Sequence, residues 1–270
     1  MEIDKNKLIE ELKSQIKNSN DELMAALLKE ADTVKSGVMI KTEYILKIGK
    51  YEIERYNLYF GYVKLRRMID LYQAAINKQE YISNDDVEEI INNETKEYQS
   101  EINCLINDLH TAIKIDQAER VTPEDYKKIK ETYRYIVSRI HPDINPNPDQ
   151  NSKFLWNMTQ DAYLNNDLNH LLLLKSLVGN SEITIINENQ IEKLEKKHME
   201  IIYHIDQIND RIKRIKSGFP FNKIELLNNE EAIKKFVGKI LIDSNSYREY
   251  NDDLLLKLKE LKLKVSKKDD

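Results

Sequence analysis

The chain has few of the residues that make turns and cross-links. Its 270 residues include six Gly, five Pro and one cysteine, Cys104. So few turn-forming residues favour long regular elements. A single cysteine excludes a disulfide framework and a cysteine-based zinc site. We expect Cys104 to be a small buried residue rather than a reactive thiol.

The sequence also contains no long apolar run and no excess of positive charge, and we expect no secretory signal. Its longest leucine run, Leu171–Leu174, is far shorter than a membrane span. The N-terminal residues are charged from the outset, unlike those of a secretory signal. The formal net charge of −5 argues against a general nucleic-acid binder. We therefore expect a soluble, cytoplasmic protein that binds no membrane and no specific nucleic acid.

Charged residues, by contrast, are abundant. They make up 33% of the chain, and Lys, Glu, Leu and Ile dominate its composition. This composition is typical of long helices with one solvated face, so we predict an all-α fold.

Apolar residues at alternating steps of three and four predict a first coiled-coil hairpin. After a helix over about Asp4–Lys29, Gly37 marks an expected break. The heptad pattern then runs over Tyr44–Ile76 and resumes over Ile91–Ala112. Ser83–Asp86 supplies turn and capping residues between the two stretches, which predicts an antiparallel pair.

A second hairpin is predicted in the C-terminal third. Apolar seams run over Ile191–Ile215 and Ile233–Val265, with a break at Ser217–Pro220. Polar Ser244 and Asn251 interrupt the second seam. They either fix its register or mark a weak, solvated stretch, and we favour the solvated stretch.

A compact helical unit is predicted between the hairpins. Thr122 and Pro123 are a helix cap and a first-turn proline, and Pro142 ends the helix. Asn147-Pro148-Asp149 restarts a second helix, and a short third helix over about Leu168–Val178 closes the unit. The apolar stripe of the first helix is Ile129, Tyr133, Ile136 and Ile140, and that of the second is Phe154, Met158 and Ala162.

These segments predict four domains. They are an N-terminal helix (1–36), a coiled-coil hairpin (37–120), the compact unit (121–180) and a C-terminal coiled-coil hairpin (181–270).

The first helix of the compact unit is basic and leads into the tripeptide His141-Pro142-Asp143. Lys127, Lys130 and Arg134 share one face of that helix, and Arg139 lies on the opposite side of the apolar stripe. Residues 126–143 (YKKIKETYRYIVSRIHPD) and 145–163 (NPNPDQNSKFLWNMTQDAY) together resemble the J domain of the DnaJ co-chaperone family. Counted over the whole compact unit, the match covers about sixty residues, and it includes the Tyr133-Arg134 pair and the intact tripeptide.

The resemblance implies a binding role. J domains dock on a DnaK-type heat-shock chaperone and stimulate its ATP hydrolysis, with the basic helix and the tripeptide loop as the docking elements. The implied docking residues are His141, Pro142, Asp143, Lys127, Lys130, Arg134 and Arg139. Basic residues would steer the encounter by long-range attraction, and Pro142 would keep the loop rigid.

The chain also departs from the family pattern. No Asp-Tyr-Tyr-like first helix precedes Thr122, so we expect Ile106–Ile113 to take over its packing role. The basic motif after the third helix is replaced by Asn165–Asn169, and both the Gly/Phe-rich linker and the cysteine-rich zinc module are missing. The layout is similar to bacterial J-domain-containing proteins with the motif between coiled coils.

Other interpretations of the tripeptide remain. His141 and Asp143 could simply form a helix C-terminal turn. A His–Asp general base would need a nucleophile or a metal, and none lies nearby in the sequence. The remaining histidines lack metal-ligand spacing. We therefore predict no enzyme activity, no catalytic residue, no metal and no cofactor.

Two functions follow as hypotheses. The first is a J-domain co-chaperone whose coiled coils bind a client or another partner. The second is a coiled-coil scaffold or interaction protein with a non-functional J-like domain. The coiled coils could also mediate self-association.

Overall fold

The computed structural model is all-α over the part of the chain it describes, residues 2–118, 121–145, 148–178 and 190–266. The α-helices are α1 (Glu2–Tyr44), α2 (Lys50–Lys78), α3 (Asn84–Glu94), α4 (Lys96–Gln117), α5 (Pro123–Ile140), α6 (Gln150–Leu164), α7 (Leu168–Leu177), α8 (Gln190–Ser217), α9 (Ile224–Leu227) and α10 (Glu230–Ser266). A π-helical turn, Ile45–Gly49, joins α1 to α2, and a 3₁₀ turn, Phe221–Lys223, precedes α9. No helix among these residues is both long and apolar enough to cross a membrane.

The chain folds into two compact units, each built from two separated segments. The first unit contains residues 1–39 and 119–222, and the second contains residues 40–118 and 223–270. This division differs from the four consecutive domains predicted from the sequence, whose boundary at 180–181 lies outside the described residues.

The predicted break at Gly37 is wrong, because α1 continues through it to Tyr44. Gly37 is buried, and a Cβ at this position would lie only 3.2 Å from the ring of Phe221. The glycine therefore permits close packing within the first unit rather than ending the helix.

In the second unit, α3 and α4 run antiparallel to α2, as predicted for the first hairpin. The Arg67 guanidinium pairs with the Glu94 carboxylate at 2.7 Å, and the Phe60 and Tyr98 rings stack with centroids 5.8 Å apart. The turn between α2 and α3 uses the expected capping chemistry. The Asp86 amide donates to the Ser83 hydroxyl at 3.0 Å, and the Ser83 amide donates to the Asp86 carboxylate at 3.2 Å.

The long helix α10 packs in parallel along α2. Asn251 donates from its amide nitrogen to the Leu58 carbonyl at 2.9 Å. Further along both helices, Leu258 and Leu261 share a core with Ile69 and Tyr72. The predicted pairing of 233–265 with 191–215 is thus replaced by pairing with α2, because an apolar seam specifies a buried face but not its partner.

The first unit is built around α5, α6 and α7. Their buried residues Ile136, Leu155 and Leu171 belong to one core, and the Tyr133 and Tyr163 rings stack with centroids 4.0 Å apart. Two residues that we expected to be buried are exposed. Phe154 on α6 is 61% exposed, and Cys104, which lies on α4 of the second unit, is also exposed. On α6, the residues that face the core are Leu155, Trp156, Thr159, Ala162 and Tyr163.

Helices α1 and α8 complete this core. Leu23, Ala26 and Leu27 of α1 and Ile201 and Ile208 of α8 belong to the same cluster as α5 and α6. The role expected of Ile106–Ile113 therefore falls to α1, whereas Ala112 packs in a core of the second unit. α1 and α8 run parallel, since Ser19 meets His198 and, further along both helices, Glu30 meets Arg211.

Candidate partner-docking site

The tripeptide forms the turn that follows α5. The His141 amide donates to the Val137 carbonyl at 3.1 Å and closes the last turn of the helix. The His141 carbonyl then accepts from the amides of Ile144 and Asn145, at 3.0 Å and 2.8 Å. Pro142 cannot continue the helix and is exposed at the tip of the turn.

The helix on the other side of the turn, α6, follows Asp149, whose carboxylate accepts from the Ser152 amide at 2.7 Å. Asp149 is therefore the N-cap of α6 and lies within the segment predicted to restart the helix. Asn147, also part of the predicted restart, lies outside the described residues.

His141 anchors the turn to the core. Its ring meets the Trp156 ring edge-on with centroids 4.4 Å apart, and only 9% of the residue is exposed. The Nδ1 atom accepts from the Asp143 amide at 3.0 Å, so Nδ1 carries no proton. Burial lowers the pKa of His141 to about 4, and the ring is therefore neutral at pH 7.

Asp143 is held by a basic residue from another helix of the first unit. Its carboxylate accepts from Arg211 Nη2 at 2.7 Å. The same guanidinium donates from Nε to Glu30 at 2.7 Å and from Nη2 at 3.1 Å. Hydrogen bonding with these carboxylates raises the pKa of Arg211. The arginine of α8 thus joins the tripeptide turn to α1.

The basic face of α5 is also partly engaged. Lys130 Nζ pairs with the Asp32 carboxylate at 2.8 Å, and hydrogen bonding to this carboxylate raises the pKa of Lys130. Asp32 also accepts from the Tyr163 hydroxyl at 2.6 Å. Burial and this hydrogen bond raise the pKa of Tyr163. Lys130 is therefore tied to α1 and, through Asp32, to α6.

The remaining predicted docking residues differ in exposure. Lys127 and Arg134 are exposed, like Pro142. Arg139 is half-buried over the Tyr135 ring, with its guanidinium carbon 3.5 Å from the ring centroid, and donates to the Tyr135 carbonyl at 3.1 Å. The structure thus brings His141, Pro142 and Asp143 into one turn, with the basic residues distributed around α5.

A cavity of about 270 Å³ lies beside the turn. Its lining includes Tyr133, His141, Trp156, Glu30, Asp143 and Arg211. Because Arg211 is shared by two carboxylates, these three side chains carry a net charge of −1.

Sequence reasoning missed Arg211, Glu30 and Asp32. Each is one charged residue among many on a long helix, and no local motif distinguishes it from its solvated neighbours. Their role depends on the pairing of α1 and α8 with α5, which a helical pattern does not specify.

The described residues contain no group of three or more His, Cys, Asp or Glu side chains arranged to hold a metal ion. Comparisons of the chain with protein-family models, with curated proteins and with solved structures each find no match.

Proposed function

We propose that the chain is a J-domain-type co-chaperone that docks on a DnaK-type heat-shock chaperone and stimulates its ATP hydrolysis. The observation that carries the proposal is the ordered His141-Pro142-Asp143 turn between α5 and α6. The ring of His141 is fixed against Trp156, and its Nδ1 atom accepts from the Asp143 amide. A turn held in this way loses little conformational freedom on binding a partner.

The charge distribution on α5 supports the same proposal. Lys127 and Arg134 are exposed on the basic face that precedes the turn. Exposed cations next to a rigid turn would accelerate the encounter with an acidic patch on the chaperone, and salt would weaken this effect. The paired helices α2 and α10 would then serve client or partner binding, the role that the sequence analysis gives to its coiled coils.

A test is single-turnover ATP hydrolysis by the cognate DnaK-type chaperone with increasing amounts of the full chain. We expect stimulation by the wild-type chain and its loss in His141→Gln, because the amide side chain cannot reproduce the packing of the imidazole against Trp156. The matched control is His110→Gln, which changes an exposed histidine on α4 and should stimulate like the wild type. Absence of stimulation by the wild type, even at saturating concentration, would refute the proposal.

One observation favours the second candidate, a scaffold with a non-functional J-like domain. The Asp143 carboxylate, which would contact a partner, is engaged by Arg211 within the chain. In a scaffold this contact would be purely structural. Stimulation would then be absent both in the wild type and in variants that free Asp143.

A further inference from the structure

The tripeptide turn is well formed, yet its only carboxylate is occupied. Asp143 Oδ2 lies 2.7 Å from Arg211 Nη2, and the side chains are 22% and 35% exposed. Partial burial strengthens an ion pair relative to a fully solvated one, because less water screens the charges. Water and salt therefore screen this contact less than they screen the exposed pairs on the helix surfaces.

Arg211 is itself held in place by a second carboxylate. Its Nε donates to Glu30 at 2.7 Å, and its Nη2 donates to the other oxygen of Glu30 at 3.1 Å. This two-pronged geometry fixes the plane of the guanidinium. The orientation that satisfies Glu30 is the one that directs Nη2 to Asp143.

The helix that carries Glu30, α1, also engages the docking face at a second point. Asp32, two residues after Glu30 on α1, pairs with Lys130 of α5 at 2.8 Å. α1 thus holds the turn indirectly, through Arg211, and holds the basic helix α5 directly, through Asp32. A partner that needs Asp143 and Lys130 would compete with both contacts.

From this geometry we infer that α1 and α8 form an intramolecular latch, Glu30–Arg211–Asp143 supported by Asp32–Lys130, which lowers the affinity of the tripeptide turn for its chaperone partner. The inference rests on the proposed function. The latch leaves the turn folded, since His141 keeps its contacts with Trp156 and the Asp143 amide. The apparent affinity is then the intrinsic affinity multiplied by the fraction of molecules in which Asp143 is free.

The test compares the full-length wild type with Arg211→Met by single-turnover ATP hydrolysis of the DnaK-type chaperone. We expect the concentration for half-maximal stimulation to fall roughly tenfold in Arg211→Met, because the competent fraction rises. Arg214→Met is the matched control: it removes an exposed arginine three residues away on α8 and should behave like the wild type. Adding Asp143→Asn to Arg211→Met should abolish the gain.

The outcomes separate the latch from the proposed function. Equal half-maximal concentrations for wild type and Arg211→Met would overturn the latch and leave the co-chaperone function standing. Stimulation by neither protein would overturn the function itself. A gain that survives Asp143→Asn would also overturn the latch, because the freed carboxylate would not be the docking group.

A second variant covers the case in which Arg211→Met does not fold. Arg211→Met leaves the Glu30 carboxylate without its partner, which costs stability. The double variant Glu30→Gln, Arg211→Gln removes both charges and keeps amide groups that can hydrogen-bond to each other. It should show the same fall in half-maximal concentration, and wild-type behaviour in the folded double variant would overturn the latch.

Discussion

His141 is held in its neutral form by its surroundings rather than by a charged partner. Burial against Trp156 lowers its pKa from the ordinary 6.5 to about 4, although the carboxylates of Asp143 and Glu30 act in the opposite direction. A neutral imidazole leaves Nδ1 able to accept the Asp143 amide hydrogen. Protonation would remove this acceptor and place a charge in the core, so the shape of the turn depends on pH.

Stability should therefore depend on pH through His141. As the pH falls from about 6.5 to about 4, the unfolded chain binds a proton at this residue before the folded chain does, so the free energy of unfolding decreases. The decrease over this window should be about 3 kcal/mol at most. Urea denaturation between pH 4 and pH 8 would measure it. His141→Gln should lose most of this slope and His110→Gln should keep it; identical slopes in both variants would contradict the assignment.

Among the helical elements, the pairing of α10 with α2 buries Ser244 and engages Asn251, the two polar residues of its seam. Ser244 is 1% exposed, and Asn251 donates to the Leu58 carbonyl. The favoured interpretation of a weak, solvated stretch is therefore wrong for Ser244. Asn251 fits the alternative interpretation, in which a polar residue fixes the register of the seam. Its amide nitrogen also lies 3.2 Å from the position that a Cβ on Gly61 would take, so the two helices fit together here in one register.

Replacing Ser244 by alanine should stabilise the protein. Its hydroxyl is buried and has no hydrogen-bond partner among the described residues, so it makes no compensating bond for its lost hydration. Alanine also has the higher helix propensity. We expect Ser244→Ala to raise the free energy of unfolding by about 1 kcal/mol in urea denaturation. The half-buried Ser246, whose hydroxyl donates to the Ile242 carbonyl at 3.2 Å, is the control, and Ser246→Ala should gain less because this hydrogen bond is lost. Destabilisation by Ser244→Ala would show that the Ser244 hydroxyl forms a hydrogen bond in the folded protein.

Most helices, the Thr122 cap and the pairing of α2 with α3 and α4 followed from the sequence, but the continuation of α1 through Gly37 and the partner of α10 did not. Thr122 and Asp149 cap α5 and α6 because a short polar side chain can reach the free amides of the first turn, which is a local event. The partner of α10 depends on matching one apolar stripe against several similar ones. The same holds for the candidate site. The tripeptide could be recognised in the sequence, whereas Arg211, which binds Asp143 from 68 residues away in the chain, could not.

At the scale of the whole molecule, each unit combines segments that are distant in the sequence. The first unit draws on residues 1–39 and 119–222, and α1 contributes Leu23, Ala26 and Leu27 to the core around α5 and α6. The compact segment predicted to be a domain, 121–180, therefore lacks part of its own core. The proposed docking turn and the proposed latch would therefore belong to one cooperative structure.

This dependence predicts how fragments should behave. Residues 119–222 alone should unfold at a much lower temperature than the same segment joined to residues 1–39 through a flexible linker. Burying one leucine of α1 contributes roughly 2 kcal/mol, so losing several removes stability comparable to that of a small domain. Thermal unfolding followed by circular dichroism would compare the two.

A single substitution tests the same dependence within the linked chain. Leu27 is 3% exposed, so Leu27→Ala should cost about 3 kcal/mol, whereas the equally conservative change at the 40%-exposed Leu8 should cost little. If residues 119–222 melted cooperatively at the same temperature with and without residues 1–39, α1 would not be part of the folding unit. The latch would then have to act between separately folded parts. Cooperative unfolding that requires α1 would instead mean that displacing α1 removes both the Glu30 contact that orients Arg211 and part of the core of the first unit.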